Sequence, residues 1–137
     1  EQKLDLIKRV RAEKIKNIEF IPHIEHAQIG YYLSKSKISV LPSNWLETFG
    51  LSIYESVLYS NFPIVSGKGA MMEAVEFLGI GSTFDNSEGA GLADCLTKII
   101  KTYNSVSFED SKAKVLELLS LCRYSDEINK IYSVESV

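Results

Sequence analysis

Two glutamates, Glu47 and Glu55, stand eight residues apart on either side of a short loop that follows an apolar run. At about 3.6 residues per turn, Glu55 lies on a predicted helix beside Leu51, at the border of an apolar arc. A carboxylate there would accept two hydrogen bonds from a vicinal diol such as a ribose, and Glu47 would meet sugar hydroxyls near the loop tip. The alternative is that Glu47 only favours the helix dipole and that Glu55 lies on a solvated polar face. Spacing alone leaves both interpretations open.

Two loops that run into helix N-termini are candidates for binding an anion. They cover Pro42–Gly50 and Ser66–Ala70, each after a predicted buried strand. In an open parallel sheet, ligands bind beyond the carboxyl ends of the strands, and the N–H groups at a helix N-terminus favour a negative charge. Gly50, Gly67 and Gly69 would let the backbone approach a ligand closely. We therefore expect a phosphate or diphosphate ligand at these loops.

Short apolar runs alternate with longer amphipathic stretches along the whole chain. The patterns predict, in chain order, a helix over 2–15, a strand over Asn17–Ile21, a helix over 25–36, a strand over Ile38–Leu41, a helix over Phe49–Ser60, a strand over Ile64–Ser66, a helix over Met71–Leu78, a weak strand over Ser82–Phe84, and helices over 90–103, Val115–Leu121 and Asp126–Tyr132. Strands about 20 residues apart with helices between them indicate βαβ crossovers. The prediction is one α/β domain, residues 1–137, with a Rossmann-like parallel sheet flanked by helices.

From Leu41 to Ser56 the sequence has a Pro-Ser pair after a strand, an acid-x-Phe-Gly loop and a second glutamate eight positions after the first. In this order the residues resemble the donor-site signature of the group 1 glycosyltransferases, which form glycosyltransferase family 4. Asn61–Ser66 resembles the family's Gly-x-Pro-Val-Val-Ala segment, and Gly69–Val75 resembles its Gly-Gly-x-x-Glu-x-Val segment. The resemblance covers nearly the whole chain and implies the C-terminal, donor-binding domain of a GT-B glycosyltransferase.

The resemblance implies a role for each residue of the loop, carried over by position. Glu47 would be the catalytic carboxylate that contacts hydroxyls of the transferred sugar, and Glu55 would bind the ribose of a nucleotide sugar. The backbone N–H groups that would line the diphosphate and the sugar are those of Thr48, Phe49, Gly50 and Leu51. The family transfers sugars with retention of anomeric configuration and usually needs no divalent cation. The expectation is therefore a nucleotide-diphosphate sugar as substrate, with no metal and no cofactor.

Departures from the family pattern bear on function. Asn61 and Ala70 replace glycines, and residues 1–16 do not match the two strands that bring an arginine and a lysine to the diphosphate. Lys68 would partly replace the missing cation or would be an ordinary solvated lysine. An acceptor-binding domain is also unmatched, so the expected partner is that domain or a separate chain, and this chain alone is expected to be inactive. The alternatives are a donor-binding subunit of a split transferase and a non-catalytic Rossmann-like interaction domain.

The unmatched strands also have a structural consequence. In the order 3-2-1-4-5-6 they would lie between Asn17–Ile21 and Ile38–Leu41. An apolar sheet edge then pairs either directly with the Asn17–Ile21 strand or with another chain. We expect a homodimer or larger homo-oligomer through that exposed edge.

Composition narrows the classes of function. Among 137 residues, 15 basic and 18 acidic side chains give a net charge of −3, which argues against binding to nucleic acid. The apolar runs are too short for a membrane span and the N-terminus has no signal-peptide pattern. The expected location is therefore the cytoplasm, or the inner face of the membrane reached through the missing domain. Cys95 and Cys122 predict reduced thiols, and His23 and His26 lack further ligands for a zinc site.

Overall fold

The computed structural model describes residues 2–85 and 89–120, together with residues 125, 126 and 128. The helices are α1 (Gln2–Ala12), α2 (His26–Lys35), α3 (Leu51–Leu58), α4 (Ala70–Leu78), α5 (Gly89–Thr102) and α6 (Glu109–Leu118), with a 3-10 turn over Tyr103–Ser105. The strands are β1 (Ile38–Leu41), β2 (Phe62–Ser66) and β3 (Ser82–Phe84). None of the helices among these residues is long and apolar enough to cross a membrane.

The three strands form one parallel sheet in the order β1–β2–β3. Ile38 pairs with Phe62 across β1 and β2, and Ile64 pairs with Ser82 across β2 and β3. Each connection between neighbouring strands contains a helix, because parallel strands need a crossover and cannot be joined by a tight hairpin. The predicted α/β class, a Rossmann-like parallel sheet flanked by helices, is confirmed.

The hydrophobic core is centred on β2, whose five residues are all buried. Helices α3 to α6 pack apolar side chains around this strand, among them Ile53, Val57, Met71, Leu78, Ile99 and Val115. Helix α6 also covers the end of α4. Ser111 Oγ donates to the Leu78 carbonyl (3.0 Å), and Lys114 Nζ donates to the Phe77 carbonyl (2.8 Å). Carbonyls at a helix C-terminus have no partner within the helix, so α6 acts as the cap of α4.

The predicted strand over Asn17–Ile21 is wrong, because these residues have no regular secondary structure. Their sequence alternates as a strand would, but in the described part of the chain no neighbouring strand pairs with them, and only Phe20 is partly covered. An alternating pattern of apolar and polar residues does not by itself form a strand when no neighbouring strand is placed to hydrogen-bond with the backbone. The direct pairing of this segment with β1 therefore does not form, and β1 is an edge of the three-stranded sheet.

Several predicted boundaries also shift. β2 begins at Phe62 rather than Ile64, since the Phe62 N–H donates to the Lys37 carbonyl (2.9 Å) and extends the ladder. The helix predicted over Val115–Leu121 begins at Glu109, where acidic side chains in the first turn favour the helix dipole, and it ends at Leu118. The predicted helix over Asp126–Tyr132 lies largely outside the described residues, although 126 and 128 are helical, and Cys122 lies outside them as well.

Candidate functional site

Gly50 is the residue at which the first candidate loop turns into α3. Its φ of 74° is in the left-handed region, which L side chains rarely adopt. A Cβ at this position would also lie 3.3 Å from the sulfur of Met71. Gly50 therefore permits a sharp entry into α3. The Ile53 N–H donates to the Gly50 carbonyl (2.9 Å), and the N–H groups of Leu51 and Ser52 precede the first hydrogen bond of the helix.

Glu55 lies in the middle of α3, on a turn of the helix that also buries Tyr54 and Ser56. Its side chain is half-buried, with 34% of its surface exposed. One carboxylate oxygen, Oε1, lies 2.9 Å from Nε2 of His26, the first residue of α2. The carboxylate is thus held by a partner on one oxygen and is still reachable from solvent.

Hydrogen bonds join the two candidate loops beyond the ends of β1 and β2. Ser66 Oγ donates to the Ser43 carbonyl, and the Ala70 N–H donates to the Glu47 carbonyl (3.4 Å). Ser43 Oγ in turn donates to Glu47 Oε1 (3.0 Å). The structure therefore brings Glu47 to the second loop, in the place where open parallel sheets bind their ligands.

One known family matches most of the chain. The family model described as glycosyl transferases group 1 matches residues 1–114, a range that contains all three strands and both loops. The chain belongs to the group 1 glycosyltransferases. No curated protein matches the chain significantly.

In this group 1 glycosyltransferase Thr48 and Phe49 lie beside a cleft between the first loop and α4. Together with Tyr54, Ala70 and Glu73 they line this cleft, which has a volume of about 240 Å³. The centroids of the Phe49 and Tyr54 rings are 5.0 Å apart. Thr48 and Phe49 are both exposed beside this cleft, next to the N-terminus of α3.

The hydroxyl of Tyr54 is harder to ionise than that of an exposed tyrosine. Burial raises the pKa of its hydroxyl above the ordinary tyrosine value, and the negative charge of Glu73 raises it further. Because the ordinary value is about 10, the side chain carries no charge near neutral pH. Tyr54 is therefore a packing partner for Phe49 and contributes no charge to the site of this glycosyltransferase.

Lys68 lies on the exposed turn between β2 and α4, where its N–H donates to the Ser66 carbonyl (2.8 Å). It lines a cleft of about 260 Å³ with Met72, Thr83 and Asp85, at the end of β3. Lys68 thus lies beside β3, whereas the side chain of Glu47 is bonded to Ser43, which follows β1, and only the Glu47 carbonyl bonds to the loop of Lys68.

Residues that could form a metal centre do not cluster in the part of the chain that the structure describes. Over 2–85 and 89–120, no group of three or more His, Cys, Asp or Glu side chains is placed to hold a metal ion. His23 is exposed, and His26 faces Glu55.

Sequence reasoning considered His26 only as a metal ligand and did not predict its contact with Glu55. It also gave no role to Ser43, Ser66 or Glu73. The His26–Glu55 contact spans 29 residues and the Ser66–Ser43 bond spans 23, so no local pattern marks either of them. Only the predicted topology could have indicated these contacts, because successive crossover connections place the helices and loops of a parallel sheet side by side.

Proposed function

We propose that this chain is the donor-binding domain of a GT-B enzyme of glycosyltransferase family 4, which holds a nucleotide-diphosphate sugar for transfer with retention of configuration. The observation that carries the proposal is the hydrogen-bonded pair of loops beyond β1 and β2, with Glu47 in the first loop and Glu55 on the helix that follows it. Membership in the group 1 glycosyltransferases supports the same interpretation.

Glu55 is the proposed ribose-binding residue. Its carboxylate is held by His26 on one oxygen, and a third of the side chain is exposed to solvent. An ionised carboxylate offers about four lone-pair sites, which suffice for the bond from His26 and for two bonds from neighbouring hydroxyls. A vicinal diol is therefore a well-matched ligand.

The N-terminus of α3 is the proposed diphosphate site, with the N–H groups of residues 48–51 as donors. A helix N-terminus stabilises negative charge, including the charge that develops on the leaving diphosphate, and needs no metal ion to do so. Lys68 would add a cation from the neighbouring loop. Glu47, whose Oε1 accepts from Ser43, would offer its other oxygen to hydroxyls of the transferred sugar.

Exposed apolar side chains beside the site favour a second candidate, a donor-binding subunit of a split transferase. Trp45 is 83% exposed and Leu46 is 76% exposed at the tip of the first loop, and Leu51 is exposed at the start of α3. A group of exposed apolar side chains typically marks a surface that contacts another protein. In this alternative a partner chain covers that surface and supplies the acceptor site.

Titration with UDP, GDP and ADP, and with their sugar esters, tests the proposal. The wild type should bind at least one nucleoside diphosphate. Glu55→Ala should weaken that binding by roughly tenfold, because the ribose hydroxyls lose a charged acceptor. Glu47→Ala should weaken binding of the nucleotide sugar and leave the free nucleoside diphosphate unaffected. Glu76→Ala, at an exposed glutamate of α4 that lines a different cleft, is the matched control.

The outcomes separate the candidates. If Glu55→Ala and Glu47→Ala both bind nucleoside diphosphate and nucleotide sugar as the wild type does, the roles assigned to these glutamates are wrong. Donor binding with sugar transfer only after a second protein is added would favour the split transferase. If no nucleotide binds the wild type, and Glu55→Ala does not alter that result, a non-catalytic interaction domain is the better description.

A further inference from the structure

The contact between His26 and Glu55 joins two helices at the candidate ribose site. Nε2 of His26 lies 2.9 Å from Oε1 of Glu55, within the range of a charge-assisted hydrogen bond. The two side chains differ in exposure, at 82% for His26 and 34% for Glu55. The exposed imidazole of His26 therefore contacts the half-buried carboxylate of Glu55.

The position of His26 is set by the start of α2. Glu25 precedes the helix, and its N–H donates to the side-chain oxygen of Gln28 (3.1 Å), a bond that closes the first turn. His26 follows directly, so its backbone is held in the helix rather than in the preceding loop. The imidazole is thus presented by an ordered helix end.

A second contact between α2 and the end of α3 lies beside the His26–Glu55 pair. Gly30, one turn after His26, packs against the hydroxyl of Tyr59, and a Cβ on Gly30 would collide with that hydroxyl. Tyr59 in turn is one turn after Glu55, because four residues make about one turn of an α-helix. The two contacts therefore lie one helical turn apart between α2 and the segment Glu55–Tyr59, and they join different pairs of side chains.

We propose that His26 is a positioning residue, which holds the Glu55 carboxylate in the orientation that accepts the two ribose hydroxyls of a nucleoside diphosphate. This inference rests on the proposed function, in which Glu55 binds the ribose. Because an ionised carboxylate oxygen only accepts, the imidazole donates from Nε2–H, as the protonated ring or as the neutral tautomer with its proton on Nε2, and so restricts the rotation of the carboxylate before the ligand arrives. The remaining lone pairs then face the diol without the ordering cost that a free glutamate side chain would add.

The competing explanation is that the pair only clamps α2 to α3. A clamp affects the stability of the fold and weakens all ligands equally. A positioned carboxylate instead affects discrimination between a ribose and a 2′-deoxyribose, because only the ribose presents both hydroxyls. The ratio of the two dissociation constants is thus a readout that a purely structural role does not change.

The experiment measures, by calorimetry, the Kd of UDP, GDP and ADP and of their 2′-deoxy counterparts for the folded chain. The wild type should prefer the ribonucleotide, and Glu55→Ala should remove that preference. His26→Ala should lower the preference by roughly three- to tenfold. His26→Gln, whose amide nitrogen can donate from about the place of Nε2, should retain most of it. Tyr59→Ala removes the contact with Gly30 and leaves the Glu55 carboxylate in place. It should reduce the melting temperature while preserving the preference for the ribonucleotide.

Failure of the inference and failure of the proposed function give different results. If Glu55→Ala loses the preference and His26→Ala keeps it, His26 does not position the carboxylate, and the ribose role of Glu55 stands. If His26→Ala weakens both nucleotides equally, the pair is only a clamp. If the wild type shows no preference, or binds no nucleotide, then the ribose role of Glu55 and the inference about His26 are both overturned.

Discussion

Asn61, in the turn between α3 and β2, occupies a position where the family pattern has a glycine. Its side chain is completely buried, and Nδ2 donates to the carbonyls of Leu33 (2.8 Å) and Tyr59 (3.2 Å). The left-handed conformation in this turn is taken by Ser60, with φ of 61°. The turn therefore does not need glycine at residue 61, and the asparagine instead satisfies two carbonyl groups at the ends of neighbouring helices.

Replacement of Asn61 by aspartate should destabilise the fold strongly. The new side chain has nearly the same shape, but it places an oxygen against two carbonyl oxygens and removes both donors. The Tyr59 carbonyl loses its side-chain donor, and the Leu33 carbonyl keeps only the bond from the Ser36 N–H, so we expect a loss of about 1–3 kcal/mol. Urea unfolding measures it. Asn104→Asp, at an exposed asparagine of the 3-10 turn, is the control and should change stability by less than about 0.5 kcal/mol. A similar small change for Asn61→Asp would contradict the role assigned to its amide.

At the scale of single residues, the sequence was informative where the signal was local. Gly50 could be predicted to let the backbone turn closely, because the loop and the following helix are both visible in the sequence, and its φ of 74° agrees. The roles of Glu47 and Glu55 remain predictions. The hydrogen bonds of Ser43, Ser66 and His26 could not be predicted, since their partners come from other loops and helices, and only the fold decides which polar groups meet.

The contact between α2 and α3 depends on the absence of a side chain at Gly30. Glycine inside a helix is less favourable than alanine by about 1 kcal/mol, so its presence at residue 30 needs a packing reason. The reason is the hydroxyl of Tyr59, which occupies the space that a Cβ would take. Glycine at residue 30 therefore lowers the helix propensity of α2 and leaves room for the Tyr59 hydroxyl beside the helix.

A double-mutant cycle on this pair tests the argument. Gly30→Ala in the wild type gains helix propensity but meets the Tyr59 hydroxyl, so the net change in stability should be near zero or unfavourable. In a Tyr59→Ala background the same substitution should stabilise the fold by about 1 kcal/mol. Thermal or urea unfolding of the four proteins gives the coupling energy. Equal effects of Gly30→Ala in both backgrounds would show that Tyr59 does not restrict this position.

Among the elements, periodicity predicted β1, β3 and the helices α2 to α5 within a few residues. The strands and α3 to α5 place apolar side chains in or against the core, whereas α2 keeps a helical pattern with no buried residue. It failed at Asn17–Ile21, where an alternating pattern has no neighbouring strand. It also placed the start of α6 too late, since the first turn of that helix is polar and carries no apolar signal before Val115. A hydrophobic pattern indicates which face of an element is buried. It does not indicate which strand pairs with a predicted strand, nor where a helix with a polar first turn begins.

At the scale of the whole molecule, the sheet has an open edge along β1. The Phe62 N–H donates to the Lys37 carbonyl, so the alternate residues Ile38 and Val40 direct their peptide groups away from β2. No strand among residues 2–85 and 89–120 pairs with that edge. Unpaired peptide groups on an apolar strand are a template for another chain, so association through β1 remains our proposal.

Val40→Pro should abolish this association. Proline removes the outward N–H and leaves the hydrogen bonds between β1 and β2 in place, because Val40 does not donate to β2. Light scattering should give the mass of a dimer or larger oligomer for the wild type and of a monomer for the variant. Val40→Thr keeps the N–H and should remain associated. A wild type that is monodisperse as a monomer would exclude the proposal.

The complete burial of β2 has a consequence for how the site meets its ligand. Both candidate loops are attached to this part of the sheet, one directly after β2 and the other after β1, its hydrogen-bonded neighbour. Amide hydrogens of Ile64 and Val65 should exchange with deuterated solvent only when the whole domain opens, whereas those near the exposed Leu4 and Leu6 of α1 should exchange early. The loops are thus anchored in the slowest-exchanging region, so a ligand would meet a preformed backbone. Its binding would slow the exchange of β2 further, because binding to the folded domain raises the free energy of global opening.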